Sequence, residues 1–423
     1  MSEYQSWGRY PHADQKGIML DTRYDLVPEL SSWLPYGNGR SYGDSCLNHN
    51  GVVVSTKKLS HFISFDEKSG VLCCESGVLL KSILELMIPR GWICPVLPGT
   101  QFVSVGGAIA NDIHGKNHHV MGSFGQFVLC FELLRSNGDR LICSANENSE
   151  YFYATIGGLG LTGLVTWVQL QLVPVSSNAL LQENIKFDVL DDFFELSQES
   201  KEDYAYSVAW IDCLAQGKGL GRGHFTRANH YHSDYLSTKA QTLSFPVDPP
   251  FSFVNQLSLK LFNTFYFHRQ CVKKKTRIVN YQPFFFPLDR IGNWNRMYGR
   301  SGFLQYQCVL PTEYSKQGIK EILNRISFEK KGSFLAVLKM FGDSQSLGYI
   351  SYPMEGANLA LDFPNEGEKT LALLRALDKI VMDCGGRLYP AKDSRMSAEH
   401  FQSFYPKWSE LENLRDKSIT SSF

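Results

Sequence analysis

The run at residues 98–125, P-G-T-Q-F-V-S-V-G-G-A-I-A-N-D-I-H-G-K-N-H-H-V-M-G-S-F-G, constrains the fold more than any other stretch. It holds six glycines, three histidines and one lysine. No continuous helical period runs through it, and only the small-residue turn at 105–110 reads as helical. Glycine lacks a Cβ and tolerates positive φ, so such a run lets main-chain N–H groups come close to a bulky anion. Successive N–H groups in turns form an anion-binding concavity. Taken alone, the run also reads as a glycine-rich surface loop.

Two further stretches shift that balance: Y-G-N-G-R-S-Y-G-D at 36–44 and G-G-L-G-L-T-G-L-V at 157–165. Neither is a dinucleotide fingerprint, because neither sits between a strand and a helix with an acidic residue at the proper distance. Neither carries the G-K-[ST] ending of a phosphate-binding P-loop. Three clusters in the first two fifths of the chain point to several loops around one extended ligand.

The 423 residues suffice for two domains or one enzyme with an inserted domain. With 42 basic and 42 acidic residues the net charge is zero, which argues against nucleic acid as the main partner. The ten cysteines show no metal-ligand spacing, so no metal is expected and buried reduced thiols are. Residues 1–10 are polar, and no run reaches the roughly 18–20 apolar residues of a membrane span. The expectation is a cytoplasmic protein, or one peripheral to the inner membrane.

The motifs G-R-S-Y-G-D (39–44), G-G-A-I-A-N-D-I-H-G-K-N-H-H (106–119), W-N-R-M-Y-G-R-S-G-F-L-Q-Y-Q (294–307) and G-G-R-L-Y-P-A-K-D-S-R (385–395) occur in this order. As a set they resemble flavoproteins of the vanillyl-alcohol oxidase and p-cresol methylhydroxylase superfamily. Within it they are most similar to the decaprenylphosphoryl-β-D-ribose oxidase family. The resemblance implies an α+β, two-domain flavoprotein: a PCMH-type FAD-binding domain over 1–178, an inserted cap domain over 179–386 built on an antiparallel sheet with helices, and a return to the FAD domain over 387–423. It implies oxidation of a secondary sugar hydroxyl, and a separate NAD(P)H-dependent short-chain reductase as partner. A soluble sugar or aldonolactone as substrate, and a non-catalytic flavin-binding role, stay open beside it.

Local patterns give strands at 51–55, 60–66, 70–75 and 164–173, and a helix at 78–90 ending before Gly91. A hairpin over 127–136 and 140–144 turns at Asn137-Gly138-Asp139. A helix over 370–382 is closed by Gly385 and Gly386. The cluster G-K-G-L-G-R-G at 217–223 reads as a strand turn. The segment 243–267 combines three prolines with a Leu- and Phe-rich run. It reads either as a mobile flap that shields the site or touches a membrane, or as an irregular connection followed by a buried helix.

For the flavin, the resemblance implies contacts from Gly37, Asn38, Gly39, Arg40, Ser41 and Tyr42. Across from them stand Pro98, Gly99, Thr100, Val105, Gly106, Gly107, Ala108, Asn111, Asp112, His114 and Gly115. Gly122, Ser123, Gly163, Val165 and Tyr389 complete the set. Many relatives bind flavin covalently through a histidine in G-x-G-H-S; Arg40 stands in its place, so non-covalent FAD is expected, with His114 the remaining candidate for attachment. Lys392, Tyr42 and His114 are the catalytic candidates. Lys392 either donates to the substrate hydroxyl as a cation or, with a pKa lowered by desolvation, acts as base. Lys116, Gln307, Lys339, Asn358 and Lys392 are expected to hold the substrate, with Tyr298 and Tyr306 as further candidates. Ala360 stands where the mycobacterial pattern has cysteine, so a thiol-directed inhibitor aimed there should fail.

Overall fold

The computed structural model describes residues 4–234, 236 and 243–423. Its first sheet has three parallel strands, Lys16–Met19, Val52–Ser55 and Trp33–Tyr36, with Val52–Ser55 central. The Val52-Val53-Val54 run suits that place, since β-branched side chains fill a pleated surface buried on both faces. A second, antiparallel sheet runs Phe62–Asp66, Val71–Glu75, Leu164–Gln171, Val128–Leu134, Arg140–Ser144. The last two form the expected hairpin, with Gly138 at φ +86° in the turn. Helix Leu80–Met87 buries Leu80, Ile83, Leu84 and Met87 against this sheet, at the spacing of a single helical face.

The third sheet has eight strands: Lys274–Asn280, Ala179–Phe187, Gly223–Tyr231, Tyr206–Ile211, Val337–Phe341, Gly356–Pro364, Phe303–Pro311 and Arg387–Leu388. All its pairings are antiparallel. Helices Leu190–Ser200, Thr312–Phe328 and Glu368–Asp383 cover one face, meeting Leu304, Tyr306, Cys308, Leu310, Leu359 and Leu361 in one core. Because side chains alternate along a strand, Gln305, Gln307, Asn358, Ala360 and Asp362 face the other way, into a cavity. Helix Glu368–Asp383 ends as the sequence predicts. Gly385 takes φ +66°, its N–H bonds Met382 O, and Gly386 N–H bonds Val381 O.

The cluster at 217–223 is a turn, Gly217–Gly219, leading into strand Gly223–Tyr231. In the proline-rich segment a short strand, Leu243–Ser244, pairs with Ile291–Gly292. Asn255 then opens helix Gln256–His268 with a capping box. That helix departs from the buried reading. Leu259, Asn263 and Phe267 are covered, but Leu257, Leu261 and Phe265 are 68 %, 63 % and 73 % exposed.

Residues beyond 408 return to the first two sheets. Ile419 bridges Trp33, and the Asp416 carboxylate accepts from Ser136 N–H at 2.7 Å.

Candidate active site

One cavity of about 1130 Å³ lies between the three glycine stretches and the uncovered face of the eight-stranded sheet. That exceeds the range of about 300–1,000 Å³ common for small-ligand pockets, leaving room for an extended ligand and a second molecule.

The glycine stretches are tied to one another. Asn38 Nδ2 donates to Phe102 O at 2.8 Å, joining the first to the second. Gly157 and Leu159 N–H groups donate to Ile109 O and Ala110 O, joining the third to helix Val105–Ala110. Gly39 needs its glycine: φ is +61°, and a Cβ there would strike the Tyr36 hydroxyl. The main-chain N–H groups of Gly39, Arg40 and Ser41 donate to no acceptor among the described residues. The Arg40 guanidinium stacks over Trp7 at 4.3 Å and faces Phe102 at 5.5 Å, and its Nε has no hydrogen-bond partner. Three free N–H groups and a guanidinium thus stand together in the cavity wall, an arrangement that suits a diphosphate.

Three lysines line the same cavity. Lys392 is carried by a loop that Tyr42 N–H clamps through Ala391 O at 2.9 Å, and its Nζ lies 3.7 Å from the centroid of the Tyr42 ring. Arg395 anchors the same loop through Asp378 and Asp393. Lys339 Nζ donates to Gly115 O at 3.2 Å and Lys116 Nζ to Phe285 O at 2.9 Å. Burial lowers Lys392 to about 7, against the pull of Asp362. Burial, then Lys116 and Lys392, lowers Lys339 to about 7, and burial lowers Lys116 to about 8. Asp362, pushed up to about 7 by burial, accepts from Gln305 Nε2 at 2.5 Å.

A hydrogen-bonded chain links the remaining polar groups. Tyr352 OH donates to Asn358 Oδ1 at 2.7 Å, and Gln307 Nε2 reaches Asn358 Oδ1 and His114 Nε2, each at 2.9 Å. Burial, with Lys339, His118 and Lys392 nearby, pushes His114 well below its ordinary value. A neutral His114 accepts at Nε2 and carries its proton on Nδ1, so it orients Gln307. Tyr389 OH donates to Asn111 O at 2.8 Å, which ties the Lys392 loop to the central glycine stretch.

Residues 30–144 match the FAD binding domain family. The decaprenylphosphoryl-β-D-ribose oxidase of Mycolicibacterium smegmatis is 37 % identical over 390 residues, covering 90 % of this chain and 84 % of that one. The chain belongs to that oxidase family. An uncharacterized protein of Streptomyces coelicolor is 31 % identical across 80 % of this chain and 95 % of its own. The human Delta(24)-sterol reductase is 25 % identical over 134 residues, 32 % of this chain. As a member of the decaprenylphosphoryl-ribose oxidase family, the chain is an FAD-dependent oxidoreductase. The site fits the cofactor: the free N–H groups of 39–41 and the unpartnered Arg40 Nε suit its diphosphate. A Cβ at Gly99 would meet nothing within 4 Å, so the cavity wall is open there.

The family's motifs fall on this cavity unevenly. Gly37 to Tyr42, Pro98, Gly99, Thr100, Gly106, Gly107, Asn111, His114, Gly115, Gly163, Val165 and Tyr389 line it, as do Lys116, Gln307, Lys339, Asn358 and Lys392. Val105, Ala108, Asp112, Gly122 and Ser123 stand behind its wall. Asp112 is fully buried and serves the loop itself, accepting from Ser123 Oγ, Ser351 Oγ and Gly125 N–H at 2.9, 2.6 and 2.8 Å. Val105 and Ala108 pack into the core, and Gly122 abuts Gln126 and Ser344. Tyr298 and Tyr306 do not line the cavity: Tyr298 packs behind Trp7, Tyr42 and Trp294, which do, and Tyr306 lies in the core under the helices. Sequence reasoning passed over Asp362, although strand period two aligns it with Asn358 and Ala360. It passed over Phe102 and gave Trp7 no role, although both flank Arg40.

Proposed function

We propose that this protein oxidises the 2′-hydroxyl of a polyprenyl-phosphoryl-β-D-ribose to a ketone, as the oxidase half of a 2′-epimerase. The observation that carries the reading is convergence. Lys392, Lys339, Gln307 and Asn358, drawn from the eight-stranded sheet and the segment after it, face the same cavity as the glycine loops. The substrate class follows from the Mycolicibacterium relative, whose name is that of a decaprenylphosphoryl-β-D-ribose oxidase.

When bound, FAD supplies the two-electron acceptor for hydride from the carbon that bears the hydroxyl. Lys392, neutral in about half the molecules near pH 7, accepts the hydroxyl proton as the hydride leaves. The Asp362 carboxylate offsets the charge that then forms on the ammonium. Lys116 and Lys339 hold the sugar-phosphate, whose negative charge keeps them protonated. Asn358 Nδ2 donates to the sugar hydroxyls and Gln307 Oε1 accepts from them, in an orientation that His114 and Tyr352 set. Arg40, in place of the attachment histidine, leaves FAD bound without a covalent link. A separate NAD(P)H-dependent short-chain reductase would return hydride to the opposite face and give the arabinose. A lipid-linked substrate favours a place at the surface of the inner membrane.

The test is an anaerobic absorbance titration of the FAD-loaded protein with polyprenyl-phosphoryl ribose. Bleaching of the oxidised-flavin band is expected. An unchanged band, with bleaching by a soluble lactone, would overturn the substrate reading.

A further inference from the structure

We propose that the outward face of helix Gln256–His268, joined by Phe251 and Phe253, docks on an anionic lipid bilayer. A surface helix ordinarily turns its apolar stripe to the core. This one does so with Leu259 and Phe267, yet it carries a second apolar stripe, Leu257, Leu261 and Phe265, pointing into solvent at i, i+4 and i+8. Phe251 and Phe253 are exposed too, and their rings meet edge to face at 5.8 Å. Ser258 Oγ donates to Phe253 O at 2.9 Å, which seats that residue against the first turn of the helix. Contiguous exposed apolar area of this kind marks an interaction surface.

Charge selects the partner. The chain is neutral overall, yet residues 249–288 contain Lys260, Arg269, Lys273, Lys274, Lys275 and Arg277 and no Asp or Glu. Lys274 is paired with Glu183 at 2.7 Å; the other five form no ion pair among the described residues. A second copy seated on this face about a two-fold axis would bring like charges together. Anionic head groups would neutralise them while the stripe enters the acyl boundary. Phe262 and Tyr266, on the same helix, line the cavity beside Arg269 and Arg277. Given the lipid-linked substrate proposed above, the sugar would enter the site while its polyprenyl tail stays in the bilayer.

The full chain should sediment with vesicles of equal parts phosphatidylcholine and phosphatidylglycerol, and much less with phosphatidylcholine alone. Added salt should weaken the binding. The triple substitution Leu257→Glu, Leu261→Glu, Phe265→Glu should weaken it by about tenfold or more at an unchanged melting temperature. Lys273→Glu with Lys275→Glu, which leaves the apolar stripe intact, should also weaken binding to the anionic vesicles. The proposal fails if the wild type stays in the supernatant, or if both variants bind as well as it does. It fails equally if the triple substitution abolishes a concentration-dependent dimer and vesicles are not bound. No sugar enters the assay, so the surface and the substrate reading stand or fall separately.

Discussion

Replacing Lys392 by methionine should remove the pH dependence of flavin reduction together with most of its rate. Burial places this lysine near 7, well below its ordinary value, even though Asp362 pulls the other way. About one amine in ten is then neutral at pH 6 and about nine in ten at pH 8. If the neutral amine takes the hydroxyl proton, the first-order rate constant for reduction climbs about tenfold across that interval and levels off above it. General-base catalysis contributes typically about 10²–10⁴-fold, so the methionine variant should fall by that factor and show a flat profile. Anaerobic stopped-flow absorbance at saturating substrate reads the constant directly, and FAD content is checked beforehand by the flavin-to-protein absorbance ratio. A wild-type rate that declines as pH rises through 7 would mean that the ammonium, as hydrogen-bond donor, is the active form. A methionine variant within tenfold of the wild type would take Lys392 out of the mechanism.

Asp362→Asn removes the carboxylate that holds the Lys392 pKa up, so the midpoint of the same profile should move below 7; a midpoint that moves up would refute the coupling. Asp112→Ala strands three buried donors at about 1–3 kcal/mol each, and urea unfolding should show a loss of about 3 kcal/mol or more. A loss under about 1 kcal/mol would mean that these bonds do not hold the loop in place. Acid precipitation of the purified protein should leave FAD in the supernatant, since Arg40 cannot form the histidyl link, and flavin in the pellet would point to His114.

The glycine stretches were legible because local chemistry announces them, whereas Lys392, Lys339, Gln307 and Asn358 were reached only through the resemblance. The three glycine stretches, the Asn137-Gly138-Asp139 turn and the Gly385 cap all act within a few residues of themselves. The polar face of the eight-stranded sheet was partly legible. The resemblance singles out Asn358 and Ala360, and the same period of two carries on to Asp362, opposite Gln305 in the register. Asp112 is ambiguous because a buried acid that binds a loop and one that binds a ligand look alike in a glycine-rich run. Only the fold brings Ser351 to it, from 239 positions away. Helix Gln256–His268 was ambiguous for a different reason: apolar residues on both faces erase the periodic signal that would tell core from surface.

Trp33, at the edge of the first sheet, takes a hydrogen bond from Thr420 N–H at 3.0 Å and gives one to Ser418 O at 2.9 Å. The Ser32 and Thr420 hydroxyls meet at 2.5 Å across 388 positions of chain. The ribosome releases Trp33 long before the residues that close its sheet, and the entire eight-stranded sheet is made in between. Nascent chains should therefore carry the glycine loops on an unfinished support. Loading with FAD should then be a late event in biogenesis, after residue 420 has cleared the exit tunnel. Supplying flavin during synthesis should do no more for the yield of holoprotein than adding it to the released chain.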